Sequence, residues 1–364
     1  MMPMARAARQ PAADPVLNRG LRELAAMSRA VGHSQEYAQG GGGNSSVKLA
    51  DGRMLIKASG FRLQEVSSEG RGAVLVDYRA VREFFSRRPP RAPTSEDAAT
   101  AFVNGQAVNL PGQDCRPSIE TGFHSFLGVC VLHTHSVYAN ALNCAEHGEQ
   151  TLAKLARNAG WRAIFVRFAT PGLRLTEAVR AAAERYSSEH GSPPQVVFLQ
   201  NHGLIVSGES AGECLRLHAA VNAKLRSFLK VRAGDYPQVR LKPTAGQRFV
   251  DGNRFLPRHL EETHAGGSYF LKHVICPDQV VYGLGGLTFT GDPAALVAVD
   301  AKKRCAYYSG TAKQAAAAAE TLVAVAYVLE LQRRAGLRPR LLKAVETKTI
   351  LGMGSEKYRQ RLLK

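Results

Sequence analysis

The sequence runs to 364 residues, 45% hydrophobic and 21% charged, which suits one large globular domain or two ordinary ones with a sizeable core. Its 48 Lys and Arg against 30 Asp and Glu give a net charge of +18, yet no basic block with interleaved aromatics marks a nucleic-acid surface, and an anionic small substrate accounts for the balance as well. No apolar run reaches the roughly 18–20 residues that span a bilayer; the nearest, "AAAAAETLVAVAYVLEL", contains Glu320 and Glu330 and reads as a core helix.

Residues 1–15, "MMPMARAARQPAADP", lack the apolar core of a secretory signal and read as a flexible leader, with the cytoplasm as the default address. Six scattered cysteines form no C-x-x-C pair, which fits buried thiols in a reducing compartment. Residues 16–32 have helical apolar spacing and a glycine stop. "GGGGNSS" (40–46) reads as a loop, and "VKLADGRMLIKASG" as a hairpin turning at Asp51 and Gly52. "AVLVDY" is a further strand, followed by a short helix and a proline-rich connection at 87–94.

In "PSIETGFHSFLG", Ser118 is placed to cap a helix, and the apolar run "GVCVLHTHS" follows as a buried strand. Residues 151–160 and 175–190 read as helices around the strand "AIFVRF". "PPQVVFLQNHGLIVSGES" reads as one buried strand passing through a His-Gly pair, and 209–232 as a long amphipathic helix. Beyond about 240, "QVVYGLGGLTFTG" and "AALVAVD" look like strands, and Thr311 is placed to cap a long Ala-rich helix ending at Gly336. The mixture of strands and helices, without regular βαβ spacing, predicts a mixed α/β or α+β architecture.

The chemistry gathers around histidine. Side chains two apart on a strand point the same way, so His133 and His135 project side by side at a strand end and make half a metal site. His202 ends another apolar run and would complete a tripod with an open fourth position; a simple turn residue would look the same. Glu120, in the first turn of the helix that feeds the His-x-His strand, can reach the same place. A carboxylate beside a metal-bound carbonyl is what enolisation needs, the metal stabilising the enediolate while the carboxylate takes the proton. A helix N-terminal glutamate is the other account of Glu120. His124, one turn later, reads as packing or support. A cupin site would want a glutamate where Ala139 and Asn140 stand, and no Gly-Lys-Ser/Thr follows "GGGGN" as a phosphate loop would require.

Five pieces in order, "GGNSSVKL", "IKASG", "RPSIETGFH", "VLHTHS" and "LQNHGLIV", resemble the class II aldolase/adducin family, which includes fuculose-phosphate aldolase. The resemblance covers about residues 16–232. It implies a central, mainly antiparallel sheet flanked by helices, within a catalytic domain spanning 16–240. It implies His133, His135 and His202 as ligands of a divalent metal, zinc foremost, and Glu120 as the catalytic acid/base. Asn44, Ser59, Gly60 and Ser118 match positions that cradle a substrate phosphate, although Ile119 stands where members with "PSSE" carry a second serine. The implied activity is a metal-dependent lyase acting on a ketose or ketose phosphate, usually as a homotetramer with sites at subunit interfaces. Epimerases, dehydratases and decarboxylases share this chemistry, and the adducin branch uses the fold as an interaction module. Residues 241–364 read as a smaller α+β extension of undefined role, whose "PDQVVYGLGG" and "EKYRQRLLK" resemble longer, rhamnulose-aldolase-like members. Neither nucleic acid nor membrane is expected as a partner.

Overall fold

The computed structural model describes residues 14–87, 95–246, 248–263, 269–283, 287–288, 295–300 and 302–354. Most of the expected leader, most of the proline-rich connection and the closing "EKYRQRLLK" lie outside them. The first helix, α1 (Pro15–Gly32), starts with proline at its first turn, and the Asp14 carboxylate accepts from the N–H groups of Val16 and Leu17 at 3.1 and 3.0 Å. Leu17, Leu21, Leu24 and Val31 recur at helical spacing and form its buried stripe.

The hairpin β1 (Asn44–Lys48) and β2 (Arg53–Lys57) turns at Asp51-Gly52, where Gly52 adopts φ +92°. β1 begins at Asn44, inside the stretch expected to be loop, because Asn44 to Val47 pair with a later strand, while Ser46 to Lys48 pair with β2. β3 (Ala73–Asp77), α2 (Tyr78–Ser86), α3 (Glu96–Gly105) and β4 (Ala107–Asn109) complete one wing of the sheet. Then come α4 (Thr121–Phe126), β5 (Cys130–Thr134), α5 (Val137–Asn143), α6 (Gly148–Ala159), β6 (Ala163–Val166) and α7 (Leu173–His190).

The run expected as a single strand is a hairpin. β7 (Val196–Leu199) and β8 (Gly203–Gly208) are antiparallel, joined through Asn201, which adopts φ +54°. Asparagine tolerates that left-handed conformation better than other non-glycine residues. α8 (Ala211–Leu229) follows with a Ser210 cap.

The strands form one eight-stranded sheet in the order β4-β3-β2-β1-β5-β8-β7-β6, antiparallel except between β6 and β7. Alternate residues serve opposite faces. Leu132, Phe198, Val206 and Leu204 pack in a core with α1, α5 and α8, while Val131, Val197 and Ile205 pack with Phe123, Leu175 and Val179 from α4 and α7. Each fully buried side chain of this kind contributes roughly 1.5–3 kcal/mol. His133 shares the face of Val131, so the sheet's alternation points it towards α4.

The chain then forms β9 (Leu241–Thr244), β10 (Arg248–Asp251), α9 (Phe255–Glu262), α10 (Tyr269–Lys272), β11 (Leu287–Thr288), β12 (Val297–Asp300) and β13 (Cys305–Ser309), whose strands make a second sheet ordered β11-β12-β13-β10-β9. "QVVYG", expected as strand, is a helical turn at Gln279–Gly283. The Gln279 side chain accepts from Ile275 N–H and donates to the Phe270 and His273 carbonyls, each at 2.9 Å, holding the approach to that turn in place. α11 (Ala312–Arg334) opens on a capping box between Thr311 and Gln314. It is long and apolar enough to cross a membrane by length and composition, but 89% of its apolar window is buried within the protein. Such a helix, apolar nearly all round, is what a core position demands. α12 (Ala344–Gly352) closes the described chain.

Candidate active site

β5 and β1 are antiparallel neighbours with Asn44 directly opposite His133, so both side chains lie on one face. His135 follows the strand end, its N–H donating to the Tyr37 carbonyl at 2.9 Å. His202 sits in the β7–β8 turn, beside β5 because β8 pairs with β5. Gly203, next to it, has no room for a side chain: a Cβ there would lie 2.5 Å from the Thr134 carbonyl oxygen and 2.9 Å from His133 Cε1. The three rings are buried, with centroids 5.0, 5.0 and 5.2 Å apart, and one ligand nitrogen from each lies within 4.8 Å of the others.

The outer nitrogens define the tautomers. His133 Nδ1 lies 3.1 Å from the Leu204 carbonyl, which only accepts, so that nitrogen carries the proton. His135 Nδ1 donates to Asp278 Oδ2 at 2.7 Å. Both Nε2 lone pairs therefore face inward, 3.2 Å apart. Two such lone pairs at this distance repel unless a proton or cation sits between them. Burial pushes His133 well below its usual range, which keeps the ring neutral at neutral pH.

Glu120 is the N-cap residue of α4 and makes no side-chain cap. Its carboxylate points to the tripod instead, Oε2 lying 3.6 Å from His133 Nε2 and Oε1 3.3 Å from His202 Nε2. Oε2 accepts from Asn44 Nδ2 at 2.7 Å, while Oε1 is buried without a hydrogen-bond partner. Burial raises the carboxyl, but positive charge on His133, His202 and His135, with the Asn44 amide, outweighs it and brings the group down to about 2. The inward-facing lone pairs of His133 and His135 and the orphaned carboxylate oxygen beside them together fit a divalent cation held by His133, His135 and His202.

Ser118 does not cap α4 in the expected way. It lies three residues before Thr121, where α4 begins, and its hydroxyl accepts from the Glu120 N–H at 3.2 Å. An isolated bridge between Ala58 and Pro117 sets Ser59 beside Ser118, with Ser59 N–H donating to the Arg116 carbonyl at 2.8 Å. Asn44, Ser59, Gly60 and Ser118 line one cavity with Glu120, His135 and His202. Asn44 Nδ2 also donates to Ser118 Oγ at 3.1 Å, so its amide links the serine to the carboxylate. His124 Nε2 donates to Asn44 Oδ1 and its Nδ1 accepts from Ser46 Oγ at 2.7 Å. That chain fixes which way the Asn44 amide faces. Burial lowers His124 to about 3, so its ring stays neutral.

Sequence reasoning missed Lys57 and Asp278, both of which line this cavity. Lys57 is buried at the end of β2, its ammonium donating to the Phe61 carbonyl at 2.6 Å and to that of Ala58 at 3.2 Å. A lysine closing the buried run "RMLIK" was a readable signal. Asp278 stands 143 residues from His135 and carried none.

Several known proteins are similar to this chain. The solved N-terminal class II aldolase domain of a conserved protein from Thermoplasma acidophilum aligns at TM-score 0.48 and 21% identity, covering 62% of this chain and 98% of that one. A sugar-phosphate aldolase from Thermotoga maritima aligns at TM-score 0.42 and 16% identity, over 59% of this chain and 95% of that one. The uncharacterized oxidoreductase YuxG of Bacillus subtilis (strain 168) is 24% identical over 229 residues, 60% of this chain and 31% of that protein. The chain thus spans about a third of the length of this curated relative. Residues 22–228, more than half of the sequence, match the family model described as the class II aldolase and adducin N-terminal domain. On that match the chain belongs to the class II aldolase and adducin family.

Proposed function

We propose that the protein is a divalent-metal-dependent lyase, zinc being the expected metal, that makes or breaks a carbon–carbon bond beside the carbonyl of a ketose or ketose phosphate. The observation that carries this reading is the convergence of three buried imidazoles, one ligand nitrogen of each within 4.8 Å of the others, with a buried carboxylate against them. His133, His135 and His202 would hold the cation, which when bound supplies Lewis-acid polarisation of a substrate carbonyl. Glu120 is the acid/base: Asn44 fixes Oε2 and leaves Oε1 to take or give the proton next to that carbonyl. Asn44, Ser59, Gly60 and Ser118 would bind a phosphate or equivalent anion. Ile119 withdraws one hydroxyl from that pocket, and Lys57 brings a cation to its wall.

In this reading residues 16–240 are the catalytic unit and 241–364 an extension that helps to wall the site. Elemental analysis of the purified protein, coupled to an aldol-cleavage screen across ketose phosphates and free ketoses, tests the proposal. About one divalent metal per chain is expected, with His135→Ala losing it while staying folded, because the ligand lies beyond a strand end. Full metal retention in both His133→Ala and His202→Ala would overturn the tripod. If inorganic phosphate neither inhibits nor protects, and free sugars react as well as phosphorylated ones, the phosphate pocket fails while the lyase stands.

A further inference from the structure

We propose that Asp278 is a positioning residue, brought in by the C-terminal extension to fix the ring orientation and tautomer of His135 for metal binding. The inference rests on the metal reading of His133, His135 and His202. Asp278 lies outside the residues that match the family, 22–228, so its role is particular to how this chain continues.

Asp278 is 5% exposed, and its Oδ2 accepts from His135 Nδ1 at 2.7 Å. A buried carboxylate is costly unless a donor compensates it, and the imidazole N–H provides one. That bond commits the proton to Nδ1, aims the Nε2 lone pair at the other two rings, and makes Nε2 a stronger donor towards a cation. His133 reaches the same tautomer with a backbone carbonyl, so its partner is neutral where that of His135 is charged.

The surrounding chain is built around this pair. Gly42 passes so close that a Cβ there would lie 2.6 Å from Asp278 Oδ2 and 2.7 Å from His135 Nδ1. Only glycine leaves the dyad room, which gives one member of the "GGGG" run a physical reason. Two residues before it, Gly40 N–H donates to Glu320 Oε2 at 2.7 Å, while Arg62 Nη1 holds Glu320 Oε1 at 2.9 Å. α11 therefore tethers the glycine loop from the same side as Asp278. On the approach to Asp278, the Ile275 carbonyl accepts from Asn201 Nδ2 at 2.8 Å, next to His202. The extension thus grips the segments that carry two of the three ligands.

The test is titration of metal-free protein with Co²⁺, read by its visible absorption, for the wild type, Asp278→Ala, Asp278→Asn and His202→Ala. Thermal melting of each metal-free protein is measured alongside. Asp278→Ala is expected to weaken Co²⁺ binding by about 10–100-fold, the usual cost of losing such an outer partner, and to alter the band envelope. Asp278→Asn keeps an acceptor without the charge and should show a smaller loss of several-fold. A purely structural residue would lower the metal-free melting temperature and leave affinity and spectrum as in the wild type, and that outcome overturns the proposal. Should Asp278→Ala fail to fold, the Asn variant decides: wild-type affinity and spectrum overturn it. If the wild type takes up no Co²⁺, or His202→Ala and a further His133→Ala variant both bind it as well as the wild type, the metal reading itself falls and the role of Asp278 falls with it.

Discussion

Two side chains carry the sharpest consequences at the scale of single residues. Glu120→Gln keeps the side chain's size and can still pair with Asn44, but loses the proton acceptor. Turnover should fall by about 100- to 10,000-fold, the usual contribution of a positioned general base, with metal content unchanged. Exchange of the substrate's α-proton with deuterium in heavy water should collapse in parallel; exchange at the wild-type rate would remove Glu120 from the chemistry. Lys48 makes a different prediction. It donates to the carbonyls of Leu127 and Gly128, and burial, helped by Arg82, pushes it down to about 7. Between about 7 and the unfolded value near 10.4, the unfolded chain holds a proton that the folded chain does not. Stability should therefore rise with pH across that window, and below it the cost of burying the charge is fully felt. Lys48→Met should flatten this part of the pH profile of denaturant unfolding; an unchanged slope would show that the ammonium stays charged throughout. At this scale His133, His135 and Glu120 were legible in the sequence because a period of two and a short helix entry are local rules. Lys57 offered one local sign, a lysine closing a buried strand, but Asp278 offered none, since what makes it matter is the company that tertiary packing gives it.

Among elements, the β7–β8 turn is the one on which the site depends most. Asn201 adopts a left-handed backbone, and its side chain donates to the Ile275 and Arg340 carbonyls at 2.8 Å and accepts from Arg340 Nη1 at 2.9 Å. Asn201→Ala loses these bonds and strains the turn, for an expected cost of about 2–4 kcal/mol, and should weaken metal binding through His202. Unfolding midpoints and Co²⁺ affinity check both parts; an unchanged midpoint would mean the turn needs no tether. The same turn misled the sequence reading, because apolar residues continue on both sides of "QNHG" and hide the reversal. "QVVYG" misled it in the opposite direction. Its β-branched pair suggests strand, but the Gln279 side chain binds three nearby backbone groups and favours a helical turn. By contrast, α1, α8 and α11 were legible from the spacing of their apolar residues, and Thr311 caps α11 as expected, while Asp14 and Ser210 cap the other two.

For the whole molecule, the large antiparallel sheet was legible through the order of its motifs more than through composition. The second sheet was less so, because its strands are short and β10 pairs with β13 across a long stretch of chain. The family resemblance also implies assembly, and we expect a homotetramer. Light scattering at micromolar concentration checks this, and a monomer would count against sites shared between subunits. Within one chain, Asp278 already lines the cavity beside His135 and His202.

The contact between Gly40 and Glu320 joins positions 280 residues apart, and that separation has a meaning in time. During synthesis the three histidines emerge well before the segment that holds His135 in register. A nascent chain that has reached α8 possesses every proposed ligand before Asp278 has been made. On the proposed role of Asp278, the metal should be held more tightly once that segment has docked, so the last third of the chain adds its grip to a centre whose ligands are already present.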